Sequence, residues 1–124
     1  MKAVLVVFAG SGIGGVMRYL MHLAISKRYP SVFPFGTFSI NILGCFLIGI
    51  FYAFAEKQHI ISSETRLFLI TGICGGFTTF STFSLDSLTL LKSGNYLYFF
   101  LYAMGSLIIG LLATYAAILL FKTA

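Results

Sequence analysis

Residues 72–84 hold most of the sequence's chemically useful groups, because glycines and hydroxyl side chains interrupt an apolar run there. Paired glycines and β-branched threonines weaken a helix, so we expect a helix through this run to break around Gly75 and Gly76. A break frees backbone carbonyl oxygens from helical hydrogen bonds, and such oxygens are good ligands for a hard cation. The run therefore predicts a cation bound by main-chain oxygens.

Phenylalanine and hydroxyl side chains follow the expected break. Phe80 and Phe83 are three residues apart, which places them on one helix face. Hydroxyl groups surround them at Ser81, Thr82 and Ser84. Aromatic ring edges carry partial positive charge and hydroxyls donate hydrogen bonds, so this face suits a small anion. The alternative is that the two rings only pack, as most of the 14 phenylalanines are expected to do.

Two further pairs of polar side chains are spaced for one helix face. Thr37 and Asn41 are four residues apart in an uncharged apolar stretch, and Tyr102 and Ser106 have the same spacing near the C-terminus. Each pair offers donors that can line a polar path through a helix bundle. Each pair can equally bond one helix to another, and the sequence leaves both interpretations open.

Arg18 and Asp86 are the charged residues that lie farthest from the end of an apolar stretch. Charges at such positions are rare and are functional candidates by default. Arg18 would draw anions into an aqueous vestibule, or its long side chain would extend to the membrane surface. Asp86 lies close enough to the end of its stretch to be solvated, and we assign it no role.

The composition places these residues in a membrane protein. Of 124 residues, 59% are hydrophobic and 9% are charged, too few polar groups to cover a soluble protein of this size. The net charge of +5 comes from basic residues scattered between apolar runs, which argues against a nucleic-acid partner. Cys45 and Cys74 lie in apolar runs without metal-ligand spacing, and we interpret them as small buried residues.

Four apolar stretches are long enough to cross a bilayer, which takes about 20 helical residues. They are residues 3–26, 35–55, 67–91 and 96–121, and they fill nearly all of one domain, 1–124. Short connections with turn residues, such as 62–64 and 93–95, imply antiparallel neighbours. Gly10 and Gly14 have the spacing that lets helices pack closely. The predicted fold is an all-α membrane protein of four transmembrane helices, the third of them broken.

Positive charges flank the four stretches almost evenly. Counted by side, the basic residues are Lys2, Lys57, Arg66 and Lys122 against Lys27, Arg28 and Lys92. Because an excess of Lys and Arg on one side normally sets orientation, this chain is expected to insert in both directions. Two oppositely inserted copies would pair as an antiparallel homodimer about an axis in the membrane plane. The alternative is that near-equal counts arise by chance in a short protein.

Three motifs together resemble the CrcB/Fluc family of fluoride ion channels. They are GGVMRY at residues 14–19, GTFSINILG at 36–44 and GGFTTFSTF at 75–83, and the resemblance covers essentially the whole chain. The third motif is highly specific, whereas the first is weak by itself. The resemblance implies a fluoride-selective channel that passively exports fluoride across the inner (plasma) membrane and lowers its intracellular concentration. The implied partners are fluoride, membrane lipid and a second copy of the chain.

The resemblance also implies a dual-topology antiparallel homodimer with two fluoride pores and a structural Na⁺ ion, not transported, at its centre. Main-chain oxygens of Gly75 and Thr78 from both subunits would hold the sodium. Phe80 and Phe83 would face fluoride with their ring edges, and Asn41 would contact the ion or orient those rings. Weaker candidates for the pore lining are Thr37, Ser81, Thr82, Tyr102 and Ser106.

Other classes of function fit the sequence less well. A small dual-topology multidrug exporter also has four spans, but it needs a membrane-embedded carboxylate, and the first stretch contains no acid. An enzyme needs an acid–base pair or an activated nucleophile, which three scattered acids, His22 and His59 do not provide. A structural subunit of a larger complex is compatible with the same sequence. The exporter is kept as the alternative function.

Overall fold

The computed structural model describes residues 1–57 and 61–122, which are helical apart from short connections. The helices are α1 (Lys2–Arg28), α2 (Phe35–Glu56), α3 (residues 63–77), α4 (Phe80–Lys92) and α5 (Tyr96–Lys122). Because α3 and α4 together make the third span, these described residues contain four helical spans that are long and apolar enough to cross a membrane. Their limits lie within two residues of the predicted ones, except that the third span begins four residues earlier. His59 lies outside the described residues.

The two ends of the third span follow the predicted turn chemistry. The Ser62 hydroxyl accepts a hydrogen bond from the Thr65 backbone N–H at 3.1 Å and caps α3. After α4 the chain turns through Gly94, whose φ of 80° lies in the left-handed region that favours glycine. The Asn95 amide then donates to the Leu90 carbonyl at 2.9 Å, which closes the helix end. Both turns therefore depend on local sequence.

The hydrogen-bond pattern of α3 changes along its length. Ser63–Arg66 is α-helical, Leu67–Cys74 forms wider π-helical turns, and Gly75–Phe77 returns to α-helix. Turns of the π type are rare and are frequently found at functional sites. The altered helix thus leads directly to the interruption of the third span.

The third span is interrupted at Thr78 and Thr79, whose backbone is extended. The glycine pair stays helical, so the predicted break around Gly75 and Gly76 lies two to three residues too early. The reason is that Gly76 serves close helix packing, since a Cβ there would lie 3.0 Å from the Ser11 Cα of α1. The β-branched threonines, which accept extended backbone readily, form the break instead.

Small residues bring the helices together in two tightly packed pairs, α1 with α3 and α2 with α5. A Cβ on Gly10 would lie 2.6 Å from a carbonyl oxygen of α3, and one on Gly14 would lie 2.9 Å from the Phe77 nitrogen. This contact confirms the close packing predicted from the glycine spacing. In the other pair, a Cβ on Gly49 would lie 2.6 Å from the Thr114 carbonyl oxygen. Backbone contact therefore fixes the helices that surround the break.

Candidate functional site

Asn41 of α2 holds the interruption with both ends of its side-chain amide. Its Nδ2 donates to the Thr79 carbonyl oxygen and its Oδ1 accepts from the Thr79 N–H, both at 2.9 Å. Because one atom must donate and the other must accept, the two bonds also fix which way the amide points. Gly44 makes room for this contact, since a Cβ there would collide with the methyl carbon of Thr78. The sequence of α2 therefore determines the backbone direction at the break.

The bonds at the break deprive two carbonyl groups of their usual helical donors. In a continuous helix the Thr79 amide would donate to the Gly75 carbonyl, and the Thr82 amide would donate to the Thr78 carbonyl. Instead, the Thr79 amide donates to Asn41, and the Thr82 amide donates to the Thr79 hydroxyl at 3.2 Å, which caps α4. The two carbonyl groups released in this way are the ones predicted to bind a cation.

An open groove of about 420 Å³ runs beside the break, with walls from α2, α3, α4 and α5. The predicted site residues that line it are Asn41, Gly75, Thr78, Phe80, Phe83 and Ser106. Within the described part of the chain, its lining does not include the other predicted residues, Arg18, Thr37, Ser81, Thr82 and Tyr102. The principal candidates therefore meet in one place, although they come from three separate spans.

Phe80 and Phe83 line the groove just after the break. Their ring centroids lie 5.8 Å apart, and the ring planes are tilted by 41°. Phe80 is 80% exposed, whereas Phe83 is half-buried and its ring centroid lies 5.0 Å from that of Tyr102. Both phenylalanines stand at the start of α4, where the helix dipole gives partial positive charge. This end of the groove therefore suits an anion.

Tyr102 of α5 forms a contact that the sequence did not predict. The residue is fully buried, and its hydroxyl donates to Asp86 Oδ2 at 3.1 Å. Its ring centroid lies 5.6 Å from that of Phe33 and 6.5 Å from that of Phe38, in addition to the contact with Phe83. The two bonded residues are 16 positions apart on different helices, so no short motif reveals them. Asp86 thus has a buried partner.

Thr37 and Ser106 carry buried hydroxyl oxygens in different settings. Thr37 is 1% exposed and its hydroxyl interacts with that of Tyr102, whereas Ser106 Oγ has no hydrogen-bond partner within residues 1–57 and 61–122. Such an oxygen costs about 1–3 kcal/mol when it is left unbonded, so a buried hydroxyl normally meets water or a ligand. Both residues stay candidates for a polar lining, and Ser106 already faces the groove.

Ser81 and Thr82 stand in the first turn of α4 in different settings. Ser81 is exposed, and its hydroxyl lies 3.5 Å from the Thr79 hydroxyl. Thr82 is half-buried and contributes its backbone amide to the cap of α4. That the Ser81 and Thr82 hydroxyls line an anion path stays a prediction.

Arg18 of α1 contacts the last turn of α3, just before the break. Its Nε donates to the Gly76 carbonyl oxygen at 3.1 Å, and the side chain is half-buried. Arg18 follows Gly10 and Gly14 at intervals of four residues, so the close contact of α1 with α3 carries it to this place. Its location in a vestibule stays a prediction.

Known proteins resemble this chain over nearly its whole length. Residues 5–118 match the protein family described as CrcB-like protein, Camphor Resistance (CrcB). A Phocaeicola vulgatus protein named Fluoride-specific ion channel FluC is 53% identical over 90% of this chain and 92% of its own. Relatives of the same name are 45% identical in Flavobacterium psychrophilum, over 98% of both chains, and 49% identical in Chlorobium luteolum, over 97% and 92%.

Proposed function

Since the chain belongs to the CrcB-like protein family, we propose that it is a fluoride-specific ion channel, the activity for which its relatives are named. It is a multi-pass membrane protein and not an enzyme. The observation that carries the proposal is the groove in which Asn41, Phe80 and Phe83 meet beside the interrupted third span. The family match favours this function over the small multidrug exporter.

The start of α4 supplies groups that can replace the water around fluoride. Fluoride is small and strongly hydrated, so it enters a narrow path only where closely spaced donors compensate for lost water. The ring edges of Phe80 and Phe83 carry partial positive charge, and across the groove the Ser106 hydroxyl of α5 has free hydrogen-bonding capacity. None of these groups carries a full charge that would trap the ion. The site therefore favours passage over tight binding.

Passive export follows from the same chemistry. Fluoride enters cells as HF, ionises inside and accumulates, so an open path in the plasma membrane lets it leave down its gradient. The outer faces of the helices suit surrounding lipid, because large apolar side chains such as Phe8 and Leu97 are 78% and 70% exposed. The chain would thereby lower the intracellular fluoride concentration.

A structural Na⁺ ion fits the donor set at the break. Sodium is a hard cation that takes oxygen ligands, and the carbonyls of Gly75 and Thr78 have lost their helical donors to Asn41 and to the Thr79 hydroxyl. These carbonyls also stand near the C-terminal end of α3, where the helix dipole is negative. A bound sodium would supply the positive charge that holds them in place.

A second copy in the opposite orientation would complete the site. One chain offers two released carbonyl groups, and an inverted partner would bring two more to the centre of an antiparallel homodimer with two pores. The even distribution of flanking Lys and Arg favours insertion in both directions. The groove beside the break is open, so a partner has room to approach the released carbonyl groups from that side.

Reconstitution into liposomes tests the function. Purified protein should release trapped fluoride, measured with a selective electrode, while release of chloride in matched vesicles stays at the protein-free level. Fluoride release equal to that of empty vesicles, or chloride passing as readily, would end the proposal. Proton-driven efflux of lipophilic cations would instead support the exporter.

Ion replacement tests the sodium site separately. Fluoride release should fall when K⁺ replaces Na⁺ on both sides of the vesicles at constant ionic strength, and it should return when Na⁺ is restored. The melting temperature of the protein in detergent should follow the same order. Equal release and equal melting in the two salts would contradict a structural sodium ion.

A further inference from the structure

We infer that Arg18 is a positioning residue whose Nε–H, rather than its positive charge, holds the Gly76 carbonyl and so fixes the end of α3 beside the ion site. The bond that carries the inference spans 3.1 Å between two residues 58 positions apart. The part of its test that measures fluoride flux rests on the proposed function, and the part that measures stability does not.

The Gly76 carbonyl needs a donor because α3 ends next to it. In a continuous helix the Phe80 amide would donate to this oxygen, but the extended residues Thr78 and Thr79 move that amide away. Arg18 therefore acts as a cap that α1 supplies to α3.

The glycine stripe of α1 makes the reach of Arg18 possible. Gly10, Gly14 and Arg18 share one face, and a Cβ on Gly14 would collide with the Ile73 carbonyl oxygen. Because the two backbones touch along this stripe, the position of Arg18 relative to Gly76 is set by packing. The cap is thus part of a rigid contact rather than a mobile surface charge.

Two side chains from different helices then fix the break from both ends. Arg18 holds Gly76 before the break, and Asn41 holds Thr79 within it, with Phe77 and Thr78 between them. The directions of the neighbouring carbonyls depend on both anchors, because two extended residues leave little freedom between fixed points. Removing the anchor at Gly76 should therefore disturb the ion site even though Arg18 does not line the groove.

Three substitutions separate the N–H donor from the charge. Arg18→Gln places the amide Nε2 the same number of bonds from Cα as the native Nε, and it removes the charge. Arg18→Lys keeps the charge but has a methylene group at that position. Arg18→Met has a methyl group there and no charge. A vestibule that attracts anions predicts that Lys works and Gln fails, whereas a positioning donor predicts the reverse.

The measurements are fluoride release from liposomes and melting temperature in detergent, each at low and high ionic strength. Arg18→Gln should release fluoride within about threefold of wild type, whereas Arg18→Lys and Arg18→Met should fall about tenfold or more, as expected for loss of a hydrogen bond to a helix end. Salt should leave these ratios unchanged, because screening weakens attraction by a charge but not a short hydrogen bond.

Several outcomes would overturn the inference. They are wild-type flux in Arg18→Lys, flux in Arg18→Gln as low as in Arg18→Met, or losses that shrink as salt is raised. If a variant assembles too poorly to conduct, the melting temperatures decide. The inference then requires the melting temperature of Arg18→Gln to be closer to that of wild type than those of Arg18→Lys and Arg18→Met. If the wild-type protein itself releases no fluoride, the proposed function fails, while the melting order still tests the role of Arg18.

Discussion

The helices on the two sides of the break in the third span are built in opposite ways. α3 touches the backbone of α1 along Gly10 and Gly14, and its final turn is bonded to Arg18. α4 begins with Phe80, which is 80% exposed, and contacts α5 mainly through side chains such as that of Phe83. One side is immobilised by backbone contact, and the other presents an accessible aromatic face.

This difference matches the two ions of the proposed function. A structural cation needs carbonyl groups that do not move, and close backbone packing provides them on the α3 side. A permeant anion needs a surface that it can reach and leave, and the exposed start of α4 provides that surface. The helix dipoles support the same assignment. The C-terminal carbonyls of α3 give partial negative charge that favours a cation, and the N-terminal amides of α4 give partial positive charge that favours an anion. Substitutions on the α3 side should therefore change stability most, and substitutions at Phe80 should change flux alone.

The largest effect is expected at the contact of α1 with α3. Gly14→Ala should lower stability by about 3 kcal/mol or more, because its Cβ would collide with the Ile73 carbonyl and push two backbones apart. Gly15→Ala is the matched control, since a Cβ at Gly15 meets no atom within 4 Å in the described structure. Melting in detergent measures both variants. Equal melting temperatures would show that backbone contact does not fix this side.

A smaller loss of stability, with complete loss of flux, is expected for Asn41→Asp. The carboxylate keeps an acceptor for the Thr79 amide but has no donor for the Thr79 carbonyl, so two oxygens face each other at a cost of about 2 kcal/mol. The protein should still assemble, as judged by size-exclusion chromatography, while fluoride release disappears. Asn95→Asp makes the same chemical change in the turn before α5 and should conduct normally. Unchanged flux in Asn41→Asp would remove Asn41 from the pathway.

Where α2 meets the break, we expect a moderate loss of stability and flux that a second substitution restores. Gly44→Ala should cost about 1–2 kcal/mol and reduce flux, because its Cβ would occupy the place of the Thr78 methyl carbon. Thr78→Ser removes that methyl carbon but keeps the hydroxyl that donates to the Cys74 carbonyl oxygen at 2.9 Å. The double variant should therefore recover both stability and flux. Additive losses in the double variant would show that the steric contact does not control the break.

The sequence predicts much of the fold because the signals for it are local. Runs of apolar residues mark the spans to within a few residues, and the Ser62 cap and the Gly94 turn depend on neighbouring positions. The sequence predicts the break too early because Gly76 is held helical by α1, through a contact between residues far apart in the chain. The Asn41 and Arg18 bonds span 38 and 58 positions, so spacing cannot reveal them. The resemblance of three motifs to a known family identifies the main groove residues. No motif in the sequence indicates the hydrogen bond between Tyr102 and Asp86.

The smallest change in stability is expected at the accessible side. Phe80→Ala should shift stability by less than about 0.5 kcal/mol, because an 80% exposed ring contributes little packing to one chain. Its fluoride flux should nevertheless fall strongly, since the ring edge that replaces water is lost. Leu85→Ala removes another exposed side chain of α4, 65% accessible, and should leave both properties unchanged.

If Phe80→Ala lowers the melting temperature as much as Gly44→Ala does, the ring packs against a partner and the contrast between the two sides fails. If flux survives, Phe80 does not face the ion.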